Sequence, residues 1–294
     1  MKTDRDRLFD SFKEKHIIDY GWSGDEKYRA VDADGLSYLL RRSPLKREAK
    51  FRTMMELMSP EAFPCDSVSH LLAVRADGKK VETLWDWIEG GSAELALPAM
   101  SSEQQAELGR QAGRVLRQLH SISAPEGTAA WDISYNAKID RKIQEYRDCP
   151  LRFDGDRSII DFIEQNRPAL KDRPLSFQHG DYHVGNMIVN DNKLYVIDFD
   201  RWSWGDPWEE YNRIVWCAKV SPIFASSMIR AYFEDDIPEQ FWTLLAIYLG
   251  TNMIGSIPWA IGFGEKEIKT QMDNAKLILE WYDGYTRDIP AWFY

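Results

Sequence analysis

Between His179 and Asp200 the sequence reads HGDYHVGNMIVNDNKLYVIDFD. Two His, four Asp and three Asn surround two short apolar runs there. Met187-Ile188-Val189 and Leu194-Tyr195-Val196-Ile197 have strand composition, and Asn190-Asp191-Asn192 between them is a turn sequence. Such a hairpin returns Asn186 and Asp198 to its open end, two oxygen-bearing side chains side by side. That pair suits a hard cation such as Mg²⁺, which takes oxygen ligands and keeps several waters. Asp181 lies in a loop after Leu175-Ser176-Phe177, five positions before Asn186. A carboxylate there can orient a hydroxyl and accept its proton. Two other readings use the same residues. One is a polar hairpin whose side chains only cap its ends. The other is a zinc site on His179 and His183, although Gly180 and the loop context disfavour a helical i, i+4 ligand pair.

The elements that must position these residues fall into two groups. Up to Gly90, strand-like runs alternate with turns. Tyr28 to Val31 and Ser37 to Arg41 flank Asp32-Ala33-Asp34-Gly35, a hairpin with Asp34-Gly35 as its turn signal. Leu45 to Met58 has helical spacing. Leu71 to Val74 and Val81 to Leu84 flank a second turn at Asp77-Gly78. Beyond Gly90 helical patterns dominate. Ser101 to Ile122 is the strongest, with Ser102 as its expected N-cap and Leu108, Ala112, Val115, Leu116 and Leu119 as its apolar stripe. The chain therefore divides into a small β-rich part, 1–90, and a larger, mainly helical part, 91–294, an α+β architecture. Phe241 to Gly264 carries no charge and has the length of a membrane span. Its polar residues, glycines and Pro258 fit buried helices with a bend instead.

Bulk properties bound the function. The 294 residues are 44% hydrophobic with 12 Trp, enough for a sizeable core. A net charge of -10 argues against nonspecific binding to nucleic acid or an anionic membrane. Cys65, Cys149 and Cys217 are scattered without a CxxC, consistent with reduced thiols and a cytoplasmic setting. The start, MKTDRDRLFD, carries no apolar signal region.

The spacing D-x-x-x-x-N, a strand pair, then D-F matches the catalytic loop and metal-binding Asp of protein kinases. With His179-Gly180-Asp181, Asn186, Ile197-Asp198, Gly205-Asp206-Pro207 and Leu116-Arg117-Gln118-Leu119-His120, the chain resembles the aminoglycoside phosphotransferase family from about Gly21 onward. The resemblance implies a bilobal, protein-kinase-like fold. It implies Asp181 as catalytic base and Asn186 and Asp198 as holders of Mg²⁺ bridging the nucleotide phosphates. It places Gly21-Trp22-Ser23-Gly24-Asp25 in the phosphate-covering loop, with Ser23 and Gly24 at the phosphates. Arg41 falls where kinases carry the strand lysine, as in macrolide-phosphorylating relatives, and Glu48 matches the helix glutamate that pairs with that cation. Leu84-Trp85-Asp86-Trp87-Ile88 becomes the hinge against the purine, through Trp85, Trp87 and Ile88, whether ATP or GTP. His179 reads as structural, and Asp206-Pro207-Trp208-Glu209 as a capping-box-like helix start.

The expected activity is Mg²⁺-dependent transfer of a nucleoside triphosphate γ-phosphate to a hydroxyl of a small, cationic acceptor, an aminoglycoside-like antibiotic. A metabolic kinase for choline, an amino alcohol or a sugar, a macrolide kinase, and a catalytically silent nucleotide-binding protein are the alternatives. For the acceptor, the sequence beyond Asp198 offers Glu209, Glu210, Glu234, Asp235, Asp236 and Glu239, with Trp202, Trp204, Trp208, Trp259, Trp281 and Trp292-Phe293-Tyr294. Each of these taken singly reads first as a solvated or core residue.

Overall fold

The structure, a computed structural model, describes residues 8–19 and 24–294. The chain divides into two compact units, residues 1–90 with 195–197, and residues 91–194 with 198–294.

The first unit is built on a five-stranded antiparallel sheet. Its strands are β1 (Glu14–Ile17), β2 (Glu26–Val31), β3 (Ser37–Pro44), β4 (Leu71–Ala76) and β5 (Lys80–Asp86), in the order β1-β2-β3-β5-β4. The turn between β2 and β3 forms as expected. Asp32 Oδ1 accepts the Asp34 and Leu36 N–H groups, and Gly35 takes φ +84°, which glycine adopts without steric cost. One sheet face is closed by Phe9, Ala30, Leu40, Ala73 and Leu84, with Phe12, Tyr28 and Tyr38 at the margin. After a 3₁₀ turn at Leu45–Arg47, helix α1 (Glu48–Met58) buries Phe51, Met54 and Met58 and packs on β4.

The second unit is mainly helical. It runs through β6 (Gly91–Ser92), α2 (Ala93–Ala96), α3 (Ser102–Leu119), α4 (Trp131–Asp148), α5 (Asp156–Asn166) and β7 (Ser176–Gln178). The hairpin β8 (Met187–Asn190) and β9 (Lys193–Val196) follows, with residues 195 and 196 of β9 belonging to the first unit, then β10 (Ser203–Gly205), α6 (Ile214–Val220), α7 (Pro222–Phe233), α8 (Glu239–Ile261) and α9 (Glu265–Trp281). The strand order β6-β8-β9 gives one small sheet, and β7 pairs antiparallel with β10.

The α3 cap sits one residue earlier than the sequence pattern implied. Ser101, not Ser102, accepts the Gln104 N–H, and the Gln104 side chain returns to the Ser101 N–H as a full capping box. Helices α3 and α7 lie unusually close. A Cβ on Gly109 would stand 2.4 Å from the Phe224 carbonyl oxygen, and one on Gly113 2.2 Å from that of Met228. Only glycine permits that approach. Helix α8 is long and apolar enough to span a membrane, yet 67% of its most apolar window is buried among the protein's own residues. It packs on α4, α5, α9 and the 3₁₀ segment Pro207–Arg213, so its apolarity serves the core. Pro258 lies within its last turn.

Candidate active site

The loop after β7 is fixed from within. Gly180 has φ +83°, and a Cβ there would meet the Arg201 carbonyl oxygen at 2.2 Å. The backbone N–H groups of His179 and Gly180 donate to Glu210 Oε2 and Oε1 at 2.6 and 2.9 Å. Glu210 is buried (1% exposed) and holds the loop like a bracket, with His120 Nε2 3.9 Å away. His179 is fully buried, and its Nδ1 accepts the Asp181 N–H at 3.2 Å. His183 Nδ1 accepts the Gly185 N–H at 3.1 Å. Each ring thus has Nδ1 committed to loop geometry, and the zinc reading lacks the further ligands it needs. Among the described residues no group of three or more His, Cys, Asp or Glu is arranged to hold a metal ion.

Asp181 projects among basic side chains. His183 Nε2 stands 3.7 Å from Oδ1, Arg213 Nε 3.2 Å from Oδ1 and Arg201 Nε 3.8 Å from Oδ2. Arg213 Nε is close but not aligned for a hydrogen bond. Burial pushes the Asp181 carboxyl upward. His183, Arg213 and Arg201 more than offset it and hold the group well below the usual carboxylate range. Asp181 is therefore a carboxylate at any physiological pH.

Asn186 closes the same loop, its Nδ2 donating to the Asp181 carbonyl oxygen at 2.9 Å. That bond orients the amide and leaves Oδ1 as its other end. The hairpin turn uses Asp191 and Asn192 at φ +46° and +61°, the left-handed pair that a tight hairpin requires. Asp198, beyond the end of β9, is itself left-handed at φ +64° and begins the 3₁₀ turn Phe199–Arg201. Non-glycine residues in this region carry strain, and strain of this kind concentrates at functional sites. Asn186 and Asp198 flank the hairpin and supply an amide and a carboxylate oxygen. That small, hard donor set fits Mg²⁺.

A cavity of about 410 Å³ opens beside this loop, lined in part by Gly180, Arg201 and Arg213. Its other walls include Lys138 and Lys142 of α4, Glu209 and Asn212 of the 3₁₀ segment, and Asn252 of α8, with Trp131, Tyr135 and Trp204 as aromatic faces. Of the acidic and aromatic residues singled out beyond Asp198, only Glu209 and Trp204 line it. Glu209 does not close a capping box. Asp206 accepts the Trp208 N–H at 2.9 Å, while the Glu209 side chain takes Lys138 Nζ at 2.8 Å and Gln178 Nε2 at 3.2 Å. Asp206 is architectural as read, fully buried against Arg173 at 2.7 and 3.0 Å and Tyr248 Oη at 2.5 Å. Sequence reasoning passed over Lys138, Lys142 and Arg213. The i, i+4 spacing of the two lysines on one helix face was the available signal.

The residues expected at the nucleotide belong to the first unit. Ser23 lies outside the described residues, with Gly21 and Trp22. A Cβ on Gly24 would meet nothing within 4 Å. Arg41, 2% exposed on β3, does not pair with Glu48 as expected. Its Nη2 contacts Asp25 Oδ2 at 2.9 Å, and Arg47 Nη1 meets the same oxygen at 3.0 Å. Glu48 instead accepts from Arg52 Nε and Nη2 at 2.8 and 2.7 Å, one helical turn on. Asp25 outcompetes it because the β2–β3 register places the chain entering β2 beside Arg41, whereas Glu48 can reach Arg52 along its own helix. Trp85 is buried with its Nε1 on Thr83 Oγ1 at 3.0 Å. Trp87 lies under the Arg29 guanidinium, 4.9 Å from ring to cation, and Ile88 is half-buried. The Asp86 backbone between them is tied to strand β4's entry, with its N–H on the His70 carbonyl at 3.1 Å and its carbonyl accepting Ser69 Oγ at 3.0 Å.

Comparison with known proteins matches this geometry to a family. The sequence model of the phosphotransferase enzyme family (APH) covers residues 17–241. The chain belongs to that family. Among curated proteins it is similar to a glucosamine kinase of Streptacidiphilus jiangxiensis, 26% identical over 130 residues. That match takes in 40% of this chain and 28% of the relative's length. Among solved structures, a thermostable mutant of aminoglycoside phosphotransferase APH(4)-Ia, in ternary complex with ADP and hygromycin B, superposes with a TM-score of 0.66 at 12% identity. It covers 92% of this chain and 94% of its own. A choline/ethanolamine kinase family protein from Mesorhizobium loti gives a TM-score of 0.66 at 16% identity, over 96% and 93%. These likenesses establish the kinase-like fold of the family.

Proposed function

We propose that this phosphotransferase moves the γ-phosphoryl group of a nucleoside triphosphate to a hydroxyl of a small molecule. Asp181 would face the acceptor oxygen, and Asn186 and Asp198 would hold Mg²⁺, which supplies charge neutralisation for the phosphates. The observation that carries the reading is the Asp181 loop. A permanently ionised carboxylate stands beside a small-molecule cavity, on a loop that Glu210 and Asn186 lock from behind.

In this reaction the acceptor oxygen forms a bond to the γ-phosphorus, the bond from that phosphorus to the bridging oxygen breaks, and the nucleoside diphosphate leaves. The acceptor proton passes to Asp181. A carboxylate held at low pKa is a weak base, but phosphoryl transfer through a loose transition state asks little of base strength. It asks for orientation, and the proton can move late, once the oxygen has begun to bond to phosphorus. When bound, Mg²⁺ would neutralise charge on the phosphate oxygens. Arg213 and Arg201 fix the Asp181 carboxylate and place positive charge beside the site of transfer. On the nucleotide side, Gly24 and Arg41 are the phosphate contacts and the Trp85–Ile88 backbone is the purine contact. Glu48, turned to Arg52, acts there only if Arg41 exchanges partners.

The acceptor remains the finer question. Solved relatives carry hygromycin B or spectinomycin, and others are named for glucosamine or for choline and ethanolamine. ADP release is measured with ATP and GTP, with and without Mg²⁺, over an acceptor panel spanning antibiotics, amino alcohols and sugars. Acceptor-dependent, Mg²⁺-dependent release is expected. A protein that binds no Mg²⁺-nucleotide is not this enzyme.

A further inference from the structure

The cavity beside Asp181 has the wrong charge for a polyamine. Four cations line it, Lys138, Lys142, Arg201 and Arg213, against a single carboxylate, Glu209. Glu209 is already spent on Lys138 at 2.8 Å and on Gln178 at 3.2 Å. Counting Asp181 beside the wall still leaves the cations in excess, and Asp181 is itself faced by Arg213 and Arg201. An ammonium group entering here would meet like charge and find each carboxylate engaged.

Lys142 makes the imbalance specific. Its stem crosses α8 at Gly255, where a Cβ would come within 2.7 Å of Cδ, Cε and Nζ. Its ammonium has one hydrogen-bond partner, the Thr251 carbonyl at 3.4 Å, and no carboxylate pairs with it among the described residues. A half-buried cation without a counter-ion is a costly arrangement in a folded protein. Burial, then Lys138 and Arg213, lower its pKa to about 7, with Glu209 opposing and Arg141 adding to the fall. An anionic group on a ligand would relieve that cost. The rest of the lining suits a polyhydroxylated body, with the Asn212 and Asn252 amides beside the aromatic faces of Trp131 and Trp204. At about 410 Å³ the cavity lies toward the small end of ligand sites, roughly 300–1,000 Å³.

We infer that the acceptor is a small polyhydroxylated anion, a carboxylate or phosphate ester, whose charged group is taken by Lys142 and Arg213 while a hydroxyl is presented to Asp181. This rests on the phosphotransferase reading and replaces the cationic acceptor expected from the sequence.

The test uses ligands of one ring type and graded charge: D-glucuronate, D-glucose 6-phosphate, D-glucose and D-glucosamine. Binding to the full-length protein is followed without nucleotide by tryptophan fluorescence, since Trp131 and Trp204 line the site. The anions are expected to bind at least ten-fold more tightly than glucosamine. Lys142→Met should reduce that preference at least ten-fold with little effect on glucose. Ser134→Asp adds a negative charge to an exposed wall position and should weaken the anions while the melting temperature stays unchanged. Preference for glucosamine, equal binding of all four, or binding of none overturns the inference. The underlying reading is scored separately by ADP release. Anions that bind without any Mg²⁺-nucleotide turnover leave the anion site standing and remove the kinase reading. Turnover selective for glucosamine or choline does the reverse.

Discussion

At the scale of single residues, the site depends on one conformation and one ionisation. Gly180 supplies a left-handed backbone that lets the loop pass the Arg201 carbonyl, and the Asp181 carboxylate follows it directly. Gly180→Ala should cost about 2–4 kcal/mol in urea unfolding, from the left-handed penalty and overpacking together, and should abolish ADP release. Lys142 governs the pH response. A ligand anion favours its ammonium form, so affinity for an anionic acceptor should be strongest below about pH 7 and fall above it. That decline should vanish in Lys142→Met when binding is titrated across pH 6 to 9. Asp181 stays ionised throughout this range and contributes no step to the profile. The placement of Asp181, Asn186 and Asp198 around one loop and hairpin was legible because their spacing is tied to turn chemistry, in which a loop, a tight hairpin and its flanks have few alternatives. The cavity cations were not legible as a group. They come from α4, the turn after Asp198 and the 3₁₀ segment before α6, and only the tertiary fold brings them to one wall.

At the scale of elements, local pattern was sufficient wherever a neighbour in sequence decides the outcome. The β2–β3 hairpin follows from Asp32 and Gly35, and α3 from its stripe, with the cap at Ser101 because Gln104 closes the box there while the Gln105 side chain bonds to Met100 and Ser221. Pattern failed where a partner from another element decides. Arg41 was read as pairing with Glu48, yet it is held by Asp25 with Arg47 on the same oxygen. The two ion pairs, Arg41–Asp25 and Arg52–Glu48, should differ sharply in mutational cost. Arg41→Ala breaks a buried ion pair and should destabilise the first unit by about 3 kcal/mol. Glu48→Ala removes one half-exposed i, i+4 contact and should cost about 0.5 kcal/mol. Thermal unfolding of the two variants measures the contrast, and equal losses would restore Glu48 as the principal partner. The short strands β7 and β10 were missed for a related reason. Three residues each, they are defined by pairing with one another rather than by any local alternation.

At the scale of the whole molecule, the kinase-like fold was readable from the order of its parts, strand-rich and then helical, with a catalytic-type loop in the second. The charge around the acceptor is also decided at this scale. The carboxylates beyond Asp198, as they stand in the sequence, suit a cationic acceptor. Folding takes Glu209 and Glu210 inward, where one holds a lysine and the other brackets the loop backbone, and leaves the cavity positive. Global charge therefore says little about a site whose own carboxylates are used in building it. The central claim is that Asp181 directs phosphoryl transfer to an acceptor hydroxyl. Its most direct measurement is transfer of labelled γ-phosphate from Mg²⁺-ATP to a panel of anionic, neutral and cationic hydroxyl compounds, by the wild type and by Asp181→Asn. Acceptor-dependent transfer should fall roughly 10²–10⁴-fold in the variant while nucleotide affinity holds. Transfer at the wild-type rate by Asp181→Asn would contradict it.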